Sequence, residues 1–232
     1  MKKTNKIKKL LKSNYNLKTD RYDYFPKTNE ELKELIDLLI SKYGDCVDLN
    51  DVCVYYIDNF EYVFSKKMLF NGDVSEWDVY NGLDFYCMFY DCRKFNPDIS
   101  NWDISSGEYF NYMFNGCDDF NSDLSRWNVS NGKYFESMFN CCYEFNSDLS
   151  KWDVSNGEYF LYIFDYCCKF NSDLSRWDVS NGKKFNYMFS NCKKFNPDLS
   201  RWDISNGQNL NYMFFGCKSF NSDLSKWDVS NA

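Results

Sequence analysis

The chain has 232 residues, a net charge of −7 and no histidine, so it lacks the commonest general base and a principal metal ligand. No stretch approaches the roughly 18 consecutive apolar residues of a membrane-spanning helix, and eleven cysteines include no C-x-x-C pair, which argues against a zinc site. Aromatic residues reach 21% and alanine occurs once, at Ala232, far from ordinary globular usage.

Residues 1–25 read as a basic N-terminal arm. Up to residue 21, Lys2, Lys3, Lys6, Lys8, Lys9, Lys12, Lys18 and Arg21 oppose only Asp20, a net of +7, which leaves −14 on the remainder. Such a segment suits either a solvated tail or contact with an anionic surface. Tyr15 is its only aromatic residue through Arg21, so nucleic acid is not the expected partner. Lysines interrupt Ile7, Leu10 and Leu11, so no signal peptide is read there, and an intracellular or virion-associated location is expected, with a surface location left open.

Residues 26–44 are expected to form a capping helix. Thr28 and Glu31 make a T-x-x-E capping box, Leu32, Leu35, Ile36 and Leu39 lie at helical spacing, and Gly44 stops the helix. A degenerate repeat follows, in which Leu49, Val52 and Val54 stand 25 residues before Val74, Trp77 and Val79.

From Phe70 the chain repeats every 25 residues without insertion or deletion. Phe70, Phe95, Phe120, Phe145, Phe170, Phe195 and Phe220 open the copies, and all seven tryptophans share one column, Trp77 to Trp227. A constant period of this size means stacked units, each too small to bury its own apolar face. Leu124, Trp127 and Val129 form L-x-x-W-x-V, read as the inward face of a short strand. Asn131-Gly132 signals a turn, and Phe135, Met138, Phe139 and Cys142 follow at i, i+3, i+4 and i+7, read as a helix of about two turns. The expected fold class is therefore an α/β repeat solenoid: a leucine-rich-repeat-like stack of strand, turn and short helix over residues 45–232, seven rungs plus a half rung.

The tandem FNSDLSRWDVSN followed by MFSNCKKFN resembles the BspA-like repeats of bacterial surface proteins, mycoplasma lipoproteins and giant viruses of amoebae, over about residues 26–232. That resemblance implies a leucine-rich-repeat fold and a role in binding or adhesion, and it brings no catalytic residue. Glycine at 82, 107, 132, 157, 182 and 207 departs from the apolar residue frequent in that family. The richness in Phe, Tyr, Asn and Lys is associated with AT-rich genomes, bacterial or viral.

Stacking turns each repeat position into a column. The asparagines from Asn71 to Asn221 are expected to be buried amides that satisfy turn backbone, and the Asp73-to-Asp223 column to cap turns rather than bind calcium. On the outer face Glu76, Asn101, Arg126, Lys151, Arg176, Arg201 and Lys226 sum to +4, and two residues on Asp78, Asp103, Asn128, Asp153, Asp178, Asp203 and Asp228 sum to −6. These columns are read either as a binding face for a charged partner or as a self-neutralising surface paired diagonally. Tyr112, Tyr162, Tyr187 and Tyr212 form a second candidate contact row. Cys92, Cys117, Cys142, Cys167, Cys192 and Cys217 are expected to be reduced core thiols. No cofactor is expected, and since every carboxylate column recurs in each rung, none looks built once for chemistry.

The function expected is a non-catalytic scaffold for contact with a protein partner that the sequence does not identify. The alternative is a structural or surface component, adhesin-like or virion-associated, and a weaker one is anionic-surface or nucleic-acid association through the arm. The chain stops within the rung after Leu224, Trp227 and Val229, so self-association through that end is a further expectation.

Overall fold

The computed structural model describes residues 21–232, so most of the expected basic arm, residues 1–20, lies outside the described residues. One α-helix, α1 (Asn29–Tyr43), opens the structure. Thr28 caps it as the sequence predicts, its hydroxyl accepting the N–H of Glu31 at 3.2 Å. The Glu31 carboxylate reaches back one residue beyond the cap, to the N–H of Lys27 at 3.0 Å. At the other end Gly44, at φ 90°, donates its N–H to Ile40. Leu32, Leu35, Ile36 and Leu39 are buried, and α1 closes the first rung, residues 45–69. Asn29 shows how: its amide nitrogen donates to the carbonyls of Asn59 at 2.9 Å and Glu61 at 3.1 Å. In every later rung the equivalent carbonyls accept from the preceding rung, so one side chain of α1 stands in for the missing neighbour.

The rungs themselves correct the sequence reading. The chain is not an α/β solenoid: among the described residues α1 is the sole α-helix and no strand forms, only isolated parallel bridges. Seven of these link consecutive rungs at one offset: Asp48–Asp73, and a single column of six from Asn59–Asp84 to Lys184–Asn209. The stretch read as a helix, Phe135 to Cys142, is a ribbon of tight turns. Met138 donates to the carbonyl of Phe135 three residues back, while Ser137 (φ 54°) and Cys141 (φ 61°) take the left-handed conformation. The intervening N–H groups leave the rung. Phe135, Ser137, Phe139 and Cys141 donate to the carbonyls of Tyr159, Leu161, Ile163 and Asp165 at 2.8–3.0 Å.

A helix would have closed those bonds within the rung, leaving side chains alone to hold the stack. A segment this short, rich in Phe, Asn, Ser and Cys, has little propensity to resist the alternative. Each left-handed residue other than glycine costs about 1–2 kcal/mol. Inter-rung bonds, worth about 0.5–1.5 kcal/mol net apiece, offset that.

The stretch read as a strand also turns twice. Trp127 donates to the carbonyl of Leu124, and Gly132 to that of Val129. Here side chains do the stitching. The Trp127 indole donates to the carbonyl of Ile99 in the preceding rung at 3.0 Å, and Ser147 Oγ accepts the N–H of Leu124 at 2.8 Å. The asparagine column joins in, but it is exposed rather than buried: Asn121 Oδ1 accepts the N–H of Asn146 at 2.7 Å.

The faces, unlike the elements, follow the sequence. Leu124, Trp127, Val129, Phe135, Met138, Phe139 and Cys142 all point into one continuous core. Tryptophans of successive rungs stack with centroids 6.3–6.5 Å apart and planes within 5°. Phenylalanine columns stack beside them, as in Phe114–Phe139 at 5.7 Å. The glycine column lies beneath this packing: a Cβ on Gly157 would fall 2.2 Å from the Phe160 ring.

Trp152→Ala is expected to cost about 3–5 kcal/mol, and Arg126→Ala, on the exposed face, under about 0.5 kcal/mol. Urea midpoints of the two variants check this; equal losses contradict the assignment of faces. Gly116 and Gly157 separate two reasons for glycine. At Gly116 (φ 75°) an added Cβ has no neighbour closer than 3.4 Å, so Gly116→Ala is expected to cost only the left-handed strain, about 1–2 kcal/mol. Gly157→Ala must also displace a buried ring, and its midpoint is expected to fall further.

Candidate functional site

The outer face is built from turns that aim charged side chains outward. Asp123 Oδ1 accepts the N–H of Ser125 at 2.9 Å, and Asn128 Oδ1 that of Ser130 at 3.0 Å, which places exposed Arg126 between two such turns. The same arrangement presents Lys151, Arg176 and Arg201, with Asp153, Asp178 and Asp203 each accepting the N–H two residues on at 3.0 Å. The turn-capping role expected of the Asp73-to-Asp223 column is thus present. The Ser125 and Ser205 N–H groups hold the carboxyls of Asp123 and Asp203 below the usual range, and the Ser155 hydroxyl and N–H do so for Asp153. Asp123, Asp153 and Asp203 are therefore ionised at neutral pH.

The diagonal pairing of the two charged columns is absent. Arg126, Lys151, Arg176 and Arg201 make no ion pair among the described residues. Inter-rung pairs form elsewhere, at Lys94–Asp119, Lys133–Glu108, Lys169–Glu144 and Lys183–Glu158. The cause is local: turns fix the carboxylates against their own backbone. The cations act on the acids three residues earlier instead: Arg126, Lys151 and Arg201 help to lower Asp123, Asp148 and Asp198. Arg201, with Asp173, Ser175, Pro197 and Asp198, also lines an open groove of about 350 Å³ between two rungs.

Tyrosines dominate another face. Tyr162, Tyr187 and Tyr212 stack at 4.6 and 4.8 Å. Tyr112 stands apart, because Ser137 occupies the place between it and Tyr162; its ring meets Tyr86 edge-on, and its hydroxyl bonds the Glu136 carboxylate. Burial and that acceptor push the Tyr112 hydroxyl up to about 12. A second ladder, Tyr109–Tyr134–Tyr159, stacks at 4.9 and 5.4 Å and was not singled out from the sequence, although its 25-residue spacing was there to find. In both ladders the rings cover one another's faces. What they offer a partner is ring edges and hydroxyls.

The thiol column is core except at Cys217, which is half-exposed. Cys92, Cys117, Cys142, Cys167 and Cys192 are buried, and each Sγ donates to a phenylalanine carbonyl of the preceding rung at 2.9–3.1 Å. Burial pushes the Cys92 thiol up to about 12 and those of Cys117, Cys142 and Cys167 well above the usual range. Among the described residues no group of three or more Cys, Asp or Glu is placed to hold a metal ion, and no helix is long and apolar enough to cross a membrane.

A family model described as Mycoplasma protein of unknown function, DUF285, matches residues 43–149, 109–202 and 134–232. The second and third matches begin one rung apart. No curated protein and no solved structure matches the chain.

At mildly alkaline pH a thiol reagent is expected to modify exposed Cys46 and half-exposed Cys141 and Cys168, sparing Cys92 to Cys192 until denaturant is added. Mass mapping checks this; a Cys117–Cys142 disulfide contradicts it. Because folding raises the buried thiols, their contribution to stability is full below their unfolded value of about 8.5. It is lost as pH climbs toward the folded values. The urea midpoint is therefore expected to fall from about pH 8.5 upward, and less steeply when Cys142 is replaced by alanine.

Proposed function

We propose that this chain, which belongs to the DUF285 repeat family, is a non-catalytic scaffold whose outer columns contact a protein partner. The observation that carries the reading is the division of labour within a rung. Trp127, Ser147, Asn121 and the turn ribbon are spent on stacking, whereas Arg126, Lys151, Arg176 and Arg201 stand exposed and without an ion pair among the described residues. A face so repeated offers an extended partner the same contact once per rung. The cations lie between acidic columns, so the partner that fits carries mixed charge. The narrower likeness to BspA-like repeats, with their role in binding, agrees with this reading.

Affinity capture from the native source tests it, with the full chain as bait beside two variants. One carries Arg126→Ser, Lys151→Ser, Arg176→Ser and Arg201→Ser, and the other Tyr162→Ser and Tyr187→Ser. Urea unfolding is expected to place both within about 0.5 kcal/mol per site of the wild-type stability. The first is expected to lose a partner that the second retains. Identical captures with all three baits contradict the assignment of the face, and an empty wild-type capture contradicts the scaffold role.

A further inference from the structure

The repeat breaks its own surface pattern in the two rungs next to α1. At four outward positions in the rungs 45–69 and 70–94 the chain carries Tyr55, Tyr56, Tyr80 and Leu83, between 47% and 51% exposed. The corresponding places three rungs below Tyr55 and Tyr56 hold Ser130 and Asn131, and two rungs below Leu83 stands Lys133. The four residues lie on linked turns of two neighbouring rungs. Tyr55 and Tyr56 meet edge-on at 5.5 Å. Asn81, beside Tyr80, donates its side-chain N–H to the Tyr55 carbonyl at 2.8 Å, and Leu83 donates its backbone N–H to Asp58 at 2.8 Å.

The charge around these turns is one-sided. Asp78 Oδ1 accepts the Tyr80 N–H, and Asp58 and Asp103 are exposed nearby. Across residues 53–59, 78–84 and 103–109 there are five acids and no Lys or Arg, although one of the five, Glu108, is paired with Lys133 of the next rung, and the same stretches of the next four rungs carry three lysines. Arg21 is occupied by Glu76, donating to its carboxylate and its carbonyl at 3.0 Å. An exposed aromatic patch rimmed by carboxylates is complementary to a segment that is apolar on one side and basic on the other.

We infer that the Tyr55–Tyr56–Tyr80–Leu83 patch docks a cationic amphipathic segment of a partner protein. This rests on the scaffold reading and gives it a second surface, distinct from the cation column. The competing occupant is the chain's own segment 1–20, which is basic and carries Ile7, Leu10 and Leu11.

The test titrates the full chain with a synthetic amphipathic peptide of leucine and lysine, and with the same peptide carrying glutamate for lysine. The patch variant carries Tyr55→Ser, Tyr56→Asn, Tyr80→Ser and Leu83→Lys, residues that later rungs hold at those positions and fold with. The wild type is expected to bind the lysine peptide, more weakly as salt rises. The patch variant is expected to bind it at least about tenfold more weakly. Asp78→Asn, which keeps the turn as Asn128 does, is expected to weaken it less. Equal binding by the patch variant, equal binding of the glutamate peptide, or no binding by the wild type overturns the inference. Hydroxyl-radical footprinting that finds Tyr55 and Tyr80 shielded in the free chain, and released on deletion of residues 1–20, overturns it in favour of the chain's own segment. A capture that depends on the cation column while peptide binding ignores the patch leaves the scaffold reading standing and removes only this docking site.

Discussion

Backbone satisfaction across one fixed offset governs this molecule. A rung of 25 residues cannot bury its own apolar face, and once stacked, its polar backbone groups must find partners above and below. Two devices meet that demand. From Lys133 to Cys141 backbone bonds to backbone between rungs, with left-handed residues at Ser137 and Cys141 turning alternate N–H groups outward. From Asn121 to Asn131 the backbone is busy with its own turns, so Asn, Ser and Trp side chains cross the gap instead. The tryptophan column thus fills core and carries a hydrogen bond in every rung from Trp77 on, which replacement by phenylalanine cannot reproduce. The same rule explains α1, whose Asn29 amide closes the carbonyls that a rung would otherwise have closed.

Function is bounded by what stacking leaves over. Positions that fill the core stay apolar from rung to rung and most stitching positions recur, with Pro97 and Pro197 interrupting the serine column, whereas positions that point out vary more freely. That freedom is used unevenly. The outer column changes from Glu76 and Asn101 to Arg126, Lys151, Arg176 and Arg201, and the patch at Tyr55 and Tyr80 becomes serine farther along. The surface is therefore graded along its length even though the core is uniform: acidic and aromatic near α1, mixed in charge beyond it.

The period, inward residues and helix α1 were legible in the sequence, because burial repeats wherever the register does and because Thr28 and Gly44 mark a helix locally. The elements were not. Phe135, Met138, Phe139 and Cys142 fit a helix of period 3.6, yet two tight turns in succession place the same four side chains on one side. Nothing in the spacing separates the two. The non-glycine residues at Ser137 and Cys141 hide the left-handed turns further, although Gly116 and Gly216 at the second of these positions were a clue. The charged columns were visible, but their pairing depended on where turns point the carboxylates, which composition does not tell.

The central claim is that the apolar stripe is a turn ribbon bonded to its neighbour rather than a helix bonded to itself. Scalar couplings measured through hydrogen bonds by NMR report it directly. The account predicts couplings from the amide nitrogens of Phe160, Tyr162 and Phe164 to the carbonyl carbons of Lys184, Asn186 and Met188 in the next rung. Couplings from those nitrogens to Asn156, Glu158 and Phe160, four residues back in the same rung, would contradict it.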